Sequence, residues 1–372
     1  MLLLSARRPL GGLGVVFLSV ARGMVGTGRD VTVAWPRTRL AGSVAPLDDR
    51  PDAALAPRGA RFEAAPSAWR QRPLRMTAMW RLWRVAKRHG GAVVNMHVGG
   101  SQAALRDLVA LRLAGVRTCV VSVHGMAPIR PELRWLQRWR SLLFSVLVAP
   151  SEPAARAAVL NGVPRHKVRV IANGAHAPAP GLTRQDAREQ LGLRPETFVV
   201  ACAGRLVAAK GVADLIQAMS RMTGSTAHLV VAGEGAQRAQ LERQAEASIP
   251  GRASFLGWLK EGPGLVYAAA DVFALPSKRE AFGLVFAEAA AWGLPSVAYA
   301  IPGIEGVVVD GKTGLLAPPG DVAALAAALD RLAADPELRA EMSSAARQHA
   351  EGMTEAAMVA GYDALFTELS AQ

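Results

Sequence analysis

The chain has 372 residues, 51% hydrophobic and 20% charged, a length that suggests two domains and a balance that excludes a disordered polypeptide. No window approaches 18 uninterrupted apolar residues, so no membrane-spanning helix is expected; two cysteines, Cys119 and Cys202, each in an apolar run, exclude a disulfide framework and fit buried thiols in a reducing compartment. The net charge of +13 is uneven: residues 1–175 carry 27 Lys and Arg against 8 Asp and Glu, a net of +19, and residues 176–372 carry 16 against 22, a net of −6. A basic half of this kind implies an anionic partner, nucleic acid or a membrane surface.

The chain opens on MLLLS, a glycine-rich turn, an apolar stretch and DVTVAW. Gly11, Gly12 and Gly14 interrupt the apolar stretch, so strand, loop, helix and strand are expected in place of an export signal. Segment 36–74 is rich in Pro, Gly and Arg, lacks periodicity, and is read as loop. GAVVNMHV, TCVVSVHG and FSVLVAPS follow as strands with helices between them. HAPAPGL, residues 176–182, has the punctuation of an interdomain linker.

The second half alternates cleanly. TFVVACAG, AHLVVAG, ASFLG, DVFALPS and PSVAYA are separated by helical patterns, which means a parallel sheet covered on both faces. Such sheets bind ligands beyond the carboxyl ends of their strands. Three helical stretches close the chain, the last near residues 353–370.

Two motifs fall on strand-end loops. In AGRLVAAKG, residues 203–211, Arg205 and Lys210 flank a short turn before a helix, an arrangement suited to a diphosphate or to a plain solvated loop. In SKREAFGLVFAEAAAWGLP, Glu280 lies on a loop, Gly283 opens the next helix, and Glu288 lies in its second turn. Phosphate oxygens fit against the unpartnered first-turn amides at 282–285, and a carboxylate on each side suits the hydroxyls of a nucleotide-sugar. The structural alternative makes Glu280 a helix-start residue favoured by the dipole. Glu288 as a plain surface residue fits poorly, because positions 284, 285, 287, 291 and 292 around it are apolar.

GRLVAAKG, VVAGEG, FLGWL, DVFALPSKREAFGLVFAEAAAWGLPSVA and DGKTGLLAPPGD, in that order, resemble glycosyltransferase family 4 over about residues 10–350, most strongly over 151–335. The resemblance implies an α/β fold of the GT-B type: two Rossmann-like parallel-sheet domains facing each other across a cleft. Residues 1–177 would form the acceptor-binding domain and residues 178–352 the donor-binding domain. Residues 353–372 would form a helix returning to the first domain. It implies retaining transfer of a hexose from a UDP- or GDP-sugar. Arg205 and Lys210 would neutralise the donor diphosphate. Glu280 would hold sugar hydroxyls and Glu288 the ribose, while Gly283, Leu284 and Val285 offer amides. Gly12 would bring its backbone near the diphosphate, and His124 of VVSVHGM would stand near the sugar. The chain departs from the pattern where Gly14 and Val15 follow the first glycine pair, where Asn95 replaces the first His of an HxH and leaves His97, and where His176 follows Asn-Gly. His97 alone is read as a strand-end residue.

No D-x-D motif and no metal-ligand spacing occurs, so neither an essential metal nor another cofactor is expected. In PIRPELRWLQRWRSLLF, Trp135 and Trp139 stand four apart, as do Arg130, Arg134 and Arg138, which on a helix sets an aromatic stripe beside a cationic one. Contact with an anionic lipid surface is the reading adopted for 128–144. The segment 70–90, with Trp80 and Trp83, is equally read as a helix with its Trp face in the core. No nucleic-acid recognition module occurs, so nucleic acid is not expected as a partner. The expected protein is a bacterial glycosyltransferase, peripheral on the cytoplasmic membrane face. It would act on a glycan or lipid-linked acceptor in exopolysaccharide, lipopolysaccharide or glycolipid synthesis. A non-catalytic nucleotide-sugar-binding scaffold is the alternative, and a phosphorylase or epimerase of the same architecture a third.

Overall fold

The computed structural model describes the chain apart from residues 6–10, 37–57, 66–75, 90, 100–104, 126–130, 177, 179–180, 224–226 and 372. It divides into two compact units. The first comprises residues 1–41, 48–174 and 355–372, and the second residues 42–47 and 175–354. The 42–47 piece lies outside the described residues.

The first unit is built on a seven-stranded sheet. Its strands are β1 (Leu2–Ser5), β2 (Thr32–Pro36), β3 (Arg61–Ala65), β4 (Val94–Val98), β5 (Cys119–Val123), β6 (Val146–Ala149) and β7 (Val168–Val170). Their order is β3-β2-β1-β4-β5-β6-β7, all parallel. The runs VNMHV and CVVSV are buried at every position, as strands covered on both faces must be. The expected loop over 36–74 needs one correction. Arg61–Ala65 pairs with Thr32–Pro36 as the edge strand, and 37–57 and 66–74 lie outside the described residues. An edge strand needs no strict alternation to be held, because one neighbour supplies its register.

The C-terminal helix Glu355–Ser370 belongs to this first unit and packs on the helix Gly11–Gly26. Gly23 makes the close approach possible, since a Cβ there would fall 2.3 Å from Cγ2 of Val359. Arg29 adds an ion pair to Asp363 at 2.7 Å.

The second unit holds six parallel strands: β8 (Val199–Ala203), β9 (His228–Ala232), β10 (Ala253–Gly257), β11 (Val272–Ala274), β12 (Ser296–Tyr299) and β13 (Gly314–Ala317). Their order is β10-β9-β8-β11-β12-β13. Strand β13 extends the sheet beyond PSVAYA, where sequence periodicity ended it; GLLA is too short to show alternation. The strand order reverses between β8 and β11. At such a switch point the loops leaving two adjacent strands diverge to opposite faces and open a crevice at their carboxyl ends. AGRLVAAKG follows β8 and LPSKREAFG follows β11, so both motifs arise at this one place.

Candidate functional site

Glycines knit the loops of the second unit together. Gly233 lies so close to the loop after β8 that a Cβ would sit 1.8 Å from the Gly204 carbonyl oxygen. At Gly235 a Cβ would meet the Leu206 carbonyl oxygen at 2.2 Å. Backbone bonds run alongside, from Leu206 N to Glu234 O at 2.9 Å and from Gln237 N to Leu206 O at 3.0 Å. Thus VVAGEG is a mould for the GRLV turn. Gly211 ends the turn Ala208–Lys210 with φ +70° and backs onto Pro276, whose carbonyl oxygen a Cβ would approach to 2.0 Å. Gly303 in turn backs onto Glu280, at 2.0 Å from its carbonyl oxygen by the same measure. Four loops are therefore held at van der Waals separation, with no side chain between them.

This framework brings Lys210 and Glu280 together across 70 residues of sequence. The Lys210 ammonium pairs with Glu280 Oε1, and the Ser277 hydroxyl donates to the same oxygen at 2.9 Å. Both charged side chains are mostly buried, 17% and 12% exposed, which makes the pair a fixed feature and not a fluctuating surface contact. Glu280 Oε2 makes no hydrogen bond among the described residues. Arg205 lies exposed on the same turn as Lys210. The expectation that Lys210 serves a diphosphate and Glu280 a sugar now carries an addition: each also holds the other.

Gly283, with φ +75°, caps the helix Leu284–Ala291, and the amides of Leu284 and Val285 open its first turn. Glu288 lies in the second turn. Its Oε2 accepts the Tyr267 hydroxyl at 3.1 Å, and burial pushes its carboxyl above the usual range against the opposing pull of that bond and of His176. Burial, then the neighbouring carboxylate, drives the Tyr267 phenol well above its ordinary value. Tyr267 was not legible as a site residue, because it lies in an apolar helix (GLVYAA) whose pattern signals core.

In the first unit, Gly12 lies in the first turn of the helix Gly11–Gly26. His124 follows β5, and His97, one position from the end of β4, is fully buried. The two imidazoles meet through His97 Nδ1 and His124 Nε2 at 2.9 Å. Burial lowers the His124 pKa to about 4, and burial with the His124 charge lowers that of His97 well below 6.5, so both rings are neutral near pH 7. His97 is thus more than a strand-end residue.

The helix Arg134–Arg140 leaves Trp135 and Trp139 61% and 64% exposed, beside exposed Arg134 and Arg138, with Leu142 of the next turn also exposed. Arg130 lies outside the described residues. On the helix Met76–Arg88 the pattern is split. Trp80 is exposed under the Arg84 guanidinium, 4.7 Å from its ring centre, while Trp83 is half-buried and donates to the Leu113 carbonyl at 3.1 Å. Among the described residues no helix is long and apolar enough to cross a membrane, and no group of three His, Cys, Asp or Glu is placed to hold a metal ion.

Two family models match, "Glycosyl transferases group 1" over residues 183–349 and "Glycosyltransferase Family 4" over residues 10–177. The alpha-D-kanosaminyltransferase of Streptomyces kanamyceticus is 29% identical over 280 residues, 69% of this chain and 72% of the relative. The lipopolysaccharide core biosynthesis glycosyltransferase LpsD of Rhizobium meliloti is 33% identical over 182 residues, 48% of this chain and 51% of the relative. As with LpsD, the chain spans about half the length of several other curated relatives it matches. Among solved structures, Anabaena Alr3699/HepE in complex with UDP superposes with a TM-score of 0.78 at 20% identity, over 99% of each chain. That likeness establishes the GT-B fold.

Proposed function

The chain belongs to glycosyltransferase family 4, and on that premise we propose that it transfers a sugar, with retention, from a UDP- or GDP-sugar to a glycan or lipid-linked acceptor. The observation that carries this reading is the Lys210–Glu280–Ser277 cluster at the β8/β11 switch point, beside Arg205 and the first-turn amides of Leu284–Ala291. The second unit binds the donor and the first unit the acceptor. Arg205 and Lys210 meet the charge that grows on the leaving diphosphate as the bond to the anomeric carbon breaks. Glu280, its Oε1 committed to Lys210 and Ser277, turns Oε2 to the sugar hydroxyls. Glu288 takes the ribose, with Tyr267 fixing its carboxylate.

Retention follows if the acceptor oxygen enters on the face the diphosphate leaves, giving its proton to a leaving phosphate oxygen while its bond to the anomeric carbon forms. No carboxylate nucleophile is required, because Glu280 and Glu288 clasp different parts of the donor, unlike the paired carboxylates of retaining glycosidases. The site works without a metal: Lys210, held by Glu280, with Arg205 and the helix amides supplies the positive field. The exposed Trp135, Trp139, Arg134 and Arg138 support peripheral contact with an anionic membrane at the cytoplasmic face, where a lipid-linked acceptor in polysaccharide, lipopolysaccharide or glycolipid assembly would lie.

The test is release of nucleoside diphosphate from a panel of UDP-, GDP- and ADP-sugars in EDTA, with and without vesicles containing anionic phospholipid. One nucleotide class is expected to be turned over slowly in EDTA, with the protein co-sedimenting with anionic but not zwitterionic vesicles. Turnover of no donor points to the scaffold alternative, and indifference to vesicle charge removes the membrane reading.

A further inference from the structure

Five polar side chains in the first unit form one unbroken chain that ends at His124. The Tyr362 hydroxyl, on the C-terminal helix, lies 3.0 Å from Ser122 Oγ. Ser122 Oγ lies 2.8 Å from Asn95 Oδ1, Asn95 Nδ2 lies 3.1 Å from His97 Nε2, and His97 Nδ1 lies 2.9 Å from His124 Nε2. Asn95, His97, Ser122 and Tyr362 are all 2% exposed or less. Phe17 sets its edge against His97 with ring centres 5.2 Å apart, and Tyr362 lies over it at 6.2 Å, so the imidazole plane is held from two sides.

We infer that this chain has one direction and that it makes His124 a neutral hydrogen-bond donor through Nδ1, with His97 as its positioning residue. Two directions are open, according to which way the Asn95 amide faces, because its oxygen only accepts and its nitrogen only donates. In one, Tyr362 donates to Ser122, Ser122 to Asn95, Asn95 to His97 Nε2, and His97 Nδ1–H to His124 Nε2. In the other the Asn95 amide is turned over and donates to Ser122, which then either donates to Tyr362 and leaves the Tyr362 proton to find another acceptor, or accepts from Tyr362 as well and leaves its own proton without one. Tyr362 makes no other hydrogen bond among the described residues, and a buried hydroxyl proton without an acceptor is costly. The first arrangement gives both hydroxyl protons an acceptor. Burial also drives the Tyr362 phenol up to about 12, so its proton is retained.

The consequence is chemical. With Nε2 occupied by the His97 proton, His124 has no free lone pair and cannot accept a proton as a general base. It offers Nδ1–H to an acceptor, a hydroxyl or phosphate oxygen of the substrate. The identity of that acceptor rests on the glycosyltransfer reading; the tautomer does not. Position 95 matters for the same reason, because an amide there accepts on one side and donates on the other.

The full-length chain, labelled with nitrogen-15 at histidine, is examined without ligand by long-range proton–nitrogen correlation at pH 7.5. His97→Gln and His124→Gln identify the two rings by difference. Both rings are expected to be neutral with the proton on Nδ1. A His124 ring protonated on Nε2, or on both nitrogens, overturns the inference. Tyr362→Phe keeps the ring and leaves the Ser122 proton on Asn95, so the Nδ1–H tautomers are expected to persist in it. Asn95→Asp puts an acceptor where the amide nitrogen donates, and the His97 and His124 protons are then expected to move to Nε2. An unchanged Nδ1–H pattern at His124 in a folded Asn95→Asp denies Asn95 and His97 their role. Asn95→Leu, which removes the donor to His97 without adding charge, is expected to give a tautomer mixture should Asn95→Asp fail to fold. A protein with the expected tautomers but no turnover of any donor would sink the glycosyltransfer reading and leave this one standing.

Discussion

Glu280→Ala is expected to lower the rate of sugar transfer by about a thousandfold or more, with the fold intact. Two losses combine. The carboxylate proposed to turn Oε2 to the sugar disappears, and Lys210 loses the partner that fixes its ammonium. Removing one well-placed stabilising group from a transition-state site typically costs about 10²–10³ in rate. Here a second group is released by the same change. Glu280→Gln separates the two. It keeps a hydrogen-bonding oxygen for Lys210 but not the charge, so its rate is expected between those of wild type and Glu280→Ala. Turnover and thermal unfolding of the three proteins, measured side by side, decide the matter. Wild-type turnover in Glu280→Ala would remove this account of the motif.

The largest structural effect is expected at Gly211. Its backbone has φ +70° and ψ 17°, a left-handed conformation that costs any side-chain-bearing residue about 1 kcal/mol. A Cβ would also meet the Pro276 carbonyl oxygen at 2.0 Å, a backbone atom that cannot swing away. Gly211→Ala is therefore expected to lose about 2–4 kcal/mol of stability, the sum of left-handed strain and overpacking. The loss falls on the seam that holds the Lys210 turn against the Glu280 loop, so donor binding should weaken together with stability. Urea unfolding and donor titration of the variant are the measurements. An unchanged midpoint would mean that the seam is looser than the backbone distances state.

Much of the second unit is written in its sequence, because short apolar runs alternate with helices and each polar motif falls at a strand end. Spacing and resemblance single out Arg205, Lys210, Glu280 and Glu288 as candidates. Their mutual arrangement is not. The Lys210–Glu280 pair joins residues 70 apart, and it exists only because β8 and β11 are neighbours in the sheet. Gly303 carries no local signal, since its reason is a backbone carbonyl in another loop. Strands β3, β7 and β13 were missed for a related reason: with three to five residues each, they are too short to display a period and take their register from a neighbour.

The first unit shows the same limit more sharply. Asn95 draws attention in the sequence only as a departure from HxH, and Ser122 and Tyr362 not at all. Register across β4 and β5 sets His97 opposite Ser122, and the returning C-terminal helix lays Tyr362 over both. A hydrogen-bond chain reaching from residue 95 to residue 362 is a tertiary property, and no window of sequence contains it.

On the proposed function, the second unit holds a nucleoside diphosphate between Lys210, Arg205 and helix amides, with no metal. Isothermal titration of UDP, GDP and ADP into the full-length protein in EDTA tests it most directly, repeated with Lys210→Met. One diphosphate is expected to bind in EDTA, and the Lys210→Met protein is expected to bind it about tenfold or more weakly, as loss of a charged partner implies. Binding that vanishes in EDTA, or that is untouched by Lys210→Met, would contradict the account.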